Sequence, residues 1–261
     1  MIGQLKGFAS VVGVLLGCCL IWEALVRVLD VPLFMLPPPS AVVMALVTNP
    51  EIYAYHAVYS LYSTVMGFAL AVALGVVLAV AIVQSRFLER TLYTVLVTLN
   101  SVPKVAVAPL FIVWLGTGLE PKVAIAAMIA IFAIVIDLVH GLKSVEPDML
   151  DLGRALKGST LKVMLKIRFP HALPALFSGM KVAISLALIG AIVGEFVAAK
   201  RGLGYLILLS QGQYDTVTMF AAIVILALLG IVLFFLLDAL ERFALPWHAS
   251  RRREGNVPAL P

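Results

Sequence analysis

Residues 52–85 read IYAYHAVYSLYSTVMGFALAVALGVVLAVAIVQS, 34 positions between Glu51 and Arg86 without one Asp, Glu, Lys or Arg. The hydrocarbon core of a bilayer asks for about 20 apolar residues in a helix, and helices buried inside water-soluble domains rarely exceed that length. This stretch commits the chain to a membrane. The pattern recurs along 261 residues that are 62% hydrophobic, more than one soluble core can absorb. In lipid every backbone polar group needs an internal partner, so the expected fold class is all-α, a polytopic protein of about six transmembrane helices.

Hydropathy outward from this stretch predicts spans over 8–29, 57–84, 91–115, 122–140, 172–197 and 217–240, within a single transmembrane domain, 1–261. Gly67 and Gly75, set among alanines, allow a neighbouring helix to approach closely. The third span carries Asn100, Pro103, Lys104 and Pro109, so it is expected to be bent or broken and to pack on protein or line a water-filled path. Glu23 and Arg27 lie one turn apart and are placed to pair. After Leu36-Pro37-Pro38-Pro39, Ser40 is expected to cap a short interfacial helix reaching Val47. Gly116 to Pro121 reads as a tight turn, and Ala199 to Gly204 begins a glycine-containing loop. Lys181 and Asp137 are expected to form a structural pair between spans four and five.

Net charge is +5, yet the basic residues fall in short clusters between apolar runs, which points to topology and not to nucleic acid. With the amino terminus inside, the inner segments hold Lys6, Arg86, Arg90, Lys143, Arg154, Lys157, Lys162, Lys166, Arg168, Arg242 and Arg251 to Arg253. The outer connections hold little beyond Lys122, Lys200 and Arg201. Both termini are therefore expected in the cytoplasm. Cys18 and Cys19 are adjacent within an apolar run, which excludes a zinc site and makes them small packing residues. Leu15-Leu16-Gly17-Cys18 fits a lipoprotein cleavage site poorly because of Leu16, so the first span is expected to be kept.

The long basic connection, 144–170, is built rather than featureless. Ser144 is expected to cap a helix starting near Pro147, with Asp148 at the positive end of the dipole. Met149, Leu152 and Leu156 form one apolar stripe, and Lys157 and Gly158 supply a cationic last turn and a C-terminal glycine. Ser159 then caps a second helix with Leu161, Met164 and Leu165 on one side and Lys162 and Lys166 on another. Pro170 is expected to end it at Phe169. From these residues alone, an amphipathic connection at the membrane surface without a partner stays open.

Asp151-Leu152-Gly153, Lys157 and Ile167-Arg168-Phe169-Pro170 resemble the motif of ABC importer permeases. That motif runs Glu-Ala-Ala, three residues, Gly, nine residues, Ile, one residue, Leu, Pro. The resemblance puts Asp151 at the acid, Lys157 at the glycine, Ile167 at the isoleucine, Phe169 at the leucine and Pro170 at the proline. Leu36 to Ser40, Pro103 to Gly118, Gly190 to Phe196 and Gly202-Leu203-Gly204-Tyr205 resemble the subgroup for nitrate, taurine and aliphatic sulfonates. It implies a bacterial inner-membrane subunit working with a second permease copy, two ATP-binding ATPase subunits and an external solute-binding protein. The segment between spans four and five is then a cytoplasmic coupling helix. Its ATPase-coupling residues are Asp148, Asp151, Leu152, Gly153, Arg154, Leu156, Lys157, Gly158, Ile167, Phe169 and Pro170.

No phosphate-binding Gly-x-x-x-x-Gly-Lys-Ser/Thr loop occurs, so ATP and magnesium are expected on the partner ATPase and no cofactor on this chain. Asn100, Lys104 and Glu195 are the candidates for the polar lining of the path of a small solute such as nitrate, a sulfonate or taurine. The alternative is an ion-coupled secondary transporter using Asp137, His140 and Glu195 as a proton relay. An enzyme is not expected, since neither a Ser/His pair nor a His-Glu-x-x-His motif lies in the spans.

Overall fold

The charge-free stretch lies inside one 35-residue helix, Pro50–Gln84. In the computed structural model, which describes residues 2–95, 98 and 102–246, no strand occurs among the described residues. The helices are α1 (Ile2–Val28), α2 (Pro39–Thr48), α3 (Pro50–Gln84), α4 (Ala108–Leu115), α5 (Glu120–Lys143), α6 (Pro147–Ala155), α7 (Thr160–Ala198), α8 (Leu203–Gly212) and α9 (Thr216–Ala244). Among the described residues α3, α5, α7 and α9 are long and apolar enough to cross a membrane. Helix α1, at 27 residues, also has the length to span. The protein is all-α and polytopic.

The expected spans shift in their limits. The second begins at Pro50 rather than residue 57, the fourth runs Glu120–Lys143, and the fifth belongs to a helix that starts at Thr160. The segment 91–115 is not one helix. A π turn, Glu89–Tyr93, leads into it, Val102 and Pro103 are non-helical, and a 3-10 turn, Lys104–Val107, precedes α4. Pro103 and Pro109 each lack the backbone donor that a continuous ladder needs.

The described residues within 1–60 and 200–228 form one compact unit, and those within 61–199 and 229–261 form another. In the first unit, Ser40 is not the cap of α2. The helix starts at Pro39 with Pro38 as its cap residue, and the side chain that serves its first turn comes from α1. The Ser40 N–H donates to Glu23 Oε2 at 3.0 Å and its hydroxyl to Glu23 Oε1 at 2.7 Å. Arg27 pairs with the same carboxylate at 2.6 Å. A carboxylate at a helix N-terminus satisfies an orphan donor and opposes the dipole's positive end. Cys18 and Cys19 are free and exposed, not packed.

The 199–204 segment is less of a loop than its glycines suggest. Gly202, at φ 110°, turns the chain directly into α8. The first two N–H groups there are taken by α3: Gly202 donates to His56 Nδ1 at 3.0 Å and Leu203 to Ser60 Oγ at 2.8 Å. His56 and Ser60 stand four residues apart and so share one helix face.

In the second unit α3, α5 and α7 meet around Ala126, which is fully buried. A Cβ on Gly67 of α3 would lie 2.4 Å from the Ala126 Cβ, and a Cβ on Gly190 of α7 would lie 2.6 Å from the Ala126 Cα. Small residues bring these backbones together, as membrane helices require. The apolar cluster continues through Ile134, Leu138, Leu142 and Ala183. Lys181 does not pair with Asp137. It bonds Asp238, and Glu241 at 2.6 Å, both on α9, while Asp137 packs against Gly179. Both acids of α9 are one turn apart and face α7 together, which Asp137 on α5 cannot match.

Candidate functional site

The connection between α5 and α7 is an elbow. Ser144 closes α5 rather than opening α6: its N–H donates to the His140 carbonyl and its hydroxyl to the Gly141 carbonyl at 2.9 Å. Helix α6 then starts at Pro147, where Met149 and Leu150 donate to the Glu146 carbonyl. Asp148 occupies its first turn and is exposed. The apolar stripe faces outward, with Met149 49%, Leu152 56% and Leu156 75% exposed. Asp151 is exposed beside it, and the side chain of Arg154 lies outside the described residues.

The far end of α6 closes by a Schellman turn. Gly158 N–H donates to the Gly153 carbonyl at 3.0 Å, and the left-handed residue is Lys157, at φ 51°. Helices usually put glycine there because a Cβ is strained in this conformation. The spacing of the family motif thus points to the true turn position, and the cationic last turn expected of Lys157 and Gly158 is a strained lysine followed by a glycine in close contact. A Cβ on Gly158 would meet the Gly153 carbonyl oxygen at 2.8 Å. Gly153 itself is buried, and a Cβ there would lie 2.9 Å from Ile167 Cδ1 and 3.2 Å from a methyl of Val163. The two arms of the elbow touch through that missing side chain.

Ser159 caps the second arm as expected, accepting from the Lys162 N–H. Phe169 does not end it. A π turn over Met164–Arg168 runs straight into Phe169–Ala198, with Pro170 in the first turn of that segment. The wide turn supplies the change of pitch that a proline would otherwise impose by breaking the ladder. Phe169 packs on the apolar cluster, Ile167 is half-buried, and Pro170 is exposed. Arg168 donates to the Leu142 carbonyl at 3.4 Å, and Lys143 pairs with Glu89 at 2.6 Å. Between the arms and the end of α3 lies a recess of about 180 Å³ reached by Gln84, Leu150, Thr160 and Arg168.

The candidates for the path are Asn100, Lys104 and Glu195. Asn100 lies outside the described residues. Lys104, at the start of its 3-10 turn, is half-buried with Nζ 4.3 Å from the centre of the Phe132 ring. Glu195 is fully buried, facing no open surface of the chain. The charge opposite it is Lys122, which the sequence places in an outer connection. Lys122 is 1% exposed. Its ammonium donates to the carbonyls of Thr117, Gly118 and Ala198, the first at 2.9 Å, with Glu195 and Glu120 supplying opposite charge. The signal for this role was the glycine-flanked turn Gly116-Thr117-Gly118, whose carbonyls have no helical partners.

Residues 71–245 match the family described as binding-protein-dependent transport system inner membrane component. The chain is 33% identical over 232 residues to the formylaminopyrimidine transport permease protein of Halalkalibacterium halodurans, across 88% of this chain and 92% of that one. It is 35% identical over 231 residues to the riboflavin transport system permease protein of Chloroflexus aurantiacus, across 88% and 86%. A protein of Bacillus subtilis named for aliphatic sulfonates transport is 29% identical over 233 residues, across 88% and 84%. The fold is similar to that of the MetNI methionine ABC transporter in an inward-facing conformation, with a TM-score of 0.65 at 19% identity over 72% of this chain and 93% of that one. These matches set aside the ion-coupled transporter with Asp137, His140 and Glu195 as its relay. The chain belongs to the binding-protein-dependent family of inner-membrane components: it is a multi-pass permease subunit of an ABC importer, a transport subunit and not an enzyme.

Proposed function

We propose that α6 is the coupling helix of this permease and that its outward stripe of Met149, Leu152 and Leu156 docks in a groove of the ATPase subunit. One observation carries this: three large apolar side chains stand exposed along a short helix otherwise rich in polar residues and its closing turn. An exposed apolar face on an amphipathic helix reads as a helix-in-groove contact. Gly153 and the Schellman turn hold α6 against the second arm, so displacement of α6 is passed to α7, which is also the span. Nucleotide-driven closure of two ATPase subunits then switches access between two conformations of a permease pair. Six spans hardly enclose a path alone, and two copies about a twofold axis suffice. The elbow and both termini face the cytoplasm in this reading, as the distribution of Lys and Arg favours.

Charged replacement of Leu152 and Leu156 together is expected to abolish co-purification of the ATPase while membrane insertion persists; undiminished co-purification would remove the docking assignment. For the solute, the relatives named for formylaminopyrimidine and riboflavin exceed the sulfonate relative in identity, which favours a small heterocyclic compound over nitrate, taurine or a sulfonate. Thermal stabilisation of the cognate binding protein by members of each class decides between them.

A further inference from the structure

The start of α7 carries a second exposed face that the stripe on α6 does not use. Helix α7 runs 39 residues, about 58 Å at 1.5 Å per residue against about 40–45 Å for a bilayer with its headgroups, so its ends reach through the headgroup regions. Over the end nearest the elbow, Met164 is buried and Val163 and Ile167 are half-buried, so one side packs on protein. The opposite side is open: Leu161 is 61% and Leu165 58% exposed, and Lys162 and Lys166 are exposed as well. At about 100° per residue the two leucines fall along one edge of that face and the two lysines along the other. Among the described residues no ion pair engages either lysine; the pairs made by Glu23, Glu89, Asp238 and Glu241 are with other bases. Arg168 is turned inward to the Leu142 carbonyl.

Leucines beside lysines on one helix face suit the boundary between acyl chains and headgroups, where the stems lie on apolar surface and the ammonium groups reach phosphate. We propose that Leu161, Lys162, Leu165 and Lys166 form a site for anionic phospholipid headgroups of the cytoplasmic leaflet. The negative surface of that leaflet supplies the opposite charge that these two lysines do not find in an ion pair among the described residues. Because the same helix carries Ile167 against Gly153, a headgroup held at Lys162 and Lys166 fixes the angle of the elbow, and lipid charge tunes the coupling of ATP hydrolysis to transport. This rests on the importer reading and on the elbow facing the cytoplasm.

The test uses the complete importer in vesicles of phosphatidylcholine alone or mixed equally with phosphatidylglycerol, reading ATP hydrolysis that depends on the binding protein. The wild-type complex is expected to gain several-fold from phosphatidylglycerol, the K162Q/K166Q variant to lose that gain while keeping its activity in phosphatidylcholine, and K162R/K166R to retain it. A gain undiminished in K162Q/K166Q overturns the proposal. So does loss of ATPase co-purification by that variant, which assigns the lysines to the motor interface. Co-purification of the wild-type chain with its ATPase reports on the importer reading separately and does not depend on the lipid.

Discussion

Gly158 donates its N–H to the Gly153 carbonyl at 3.0 Å, and the bond closes α6 through a lysine held in the left-handed conformation. Neither glycine is interchangeable with the other. The side chain missing at Gly153 makes room for the tip of Ile167, a flexible group, whereas the one missing at Gly158 makes room for a backbone carbonyl.

Gly153→Ala is therefore expected to be tolerated with a rotamer change at Ile167, at a cost below about 1 kcal/mol, and Gly158→Ala to cost about 1–3 kcal/mol through overpacking. Thermal unfolding of the purified importer in detergent checks the order. A larger loss at Gly153 than at Gly158 contradicts the geometry.

Lys157 can be relieved of its strain. Replacement by glycine removes a left-handed penalty of about 1–2 kcal/mol and returns part of it as unfolded-chain entropy, for a net gain of about 0.5–1 kcal/mol. Lys157→Ile is expected to move the other way, because branching at Cβ worsens the same clash. The pair of midpoints, measured on one complex, shows whether backbone conformation or charge governs this position.

Lys122 and Glu195 form a buried opposition whose members are unequal. Lys122→Met leaves the carbonyls of Thr117, Gly118 and Ala198 without its ammonium and Glu195 without that counter-charge, at about 3–5 kcal/mol. Glu195→Gln leaves an ammonium that still holds three carbonyls, so its cost is smaller. Expression level and thermal midpoint of the two variants, with the double variant to measure their coupling, test this.

Ala126 decides how closely α3 and α7 approach α5. Gly67→Ala collides mainly with the Ala126 side chain, and Gly190→Ala with its backbone. Adding Ala126→Gly is thus expected to recover most of the stability lost by Gly67→Ala and little of that lost by Gly190→Ala. Equal rescue of both would place the contact elsewhere.

Hydropathy, proline and charge were enough to identify an all-α membrane protein, because the cost of burying a charge or an unpaired amide in lipid acts on each segment locally. The break near Pro103 follows from the same local rule, and the spacing from Asp151 to Pro170 located the elbow although only Ile167 and Pro170 keep the residues of the family pattern. What local pattern could not supply was partnership across the chain. Ser40 looks like a cap and is instead served by Glu23, and Ser144 looks like the start of one helix and closes another. His56 and Ser60, from the middle of an apolar run, hold the first amides of a helix more than 140 residues away. Lys122 reads as an outer surface charge and is buried among carbonyls from two segments. In each case the side chain's partner is chosen by which helices pack together, and only the tertiary structure brings those atoms within hydrogen-bonding distance.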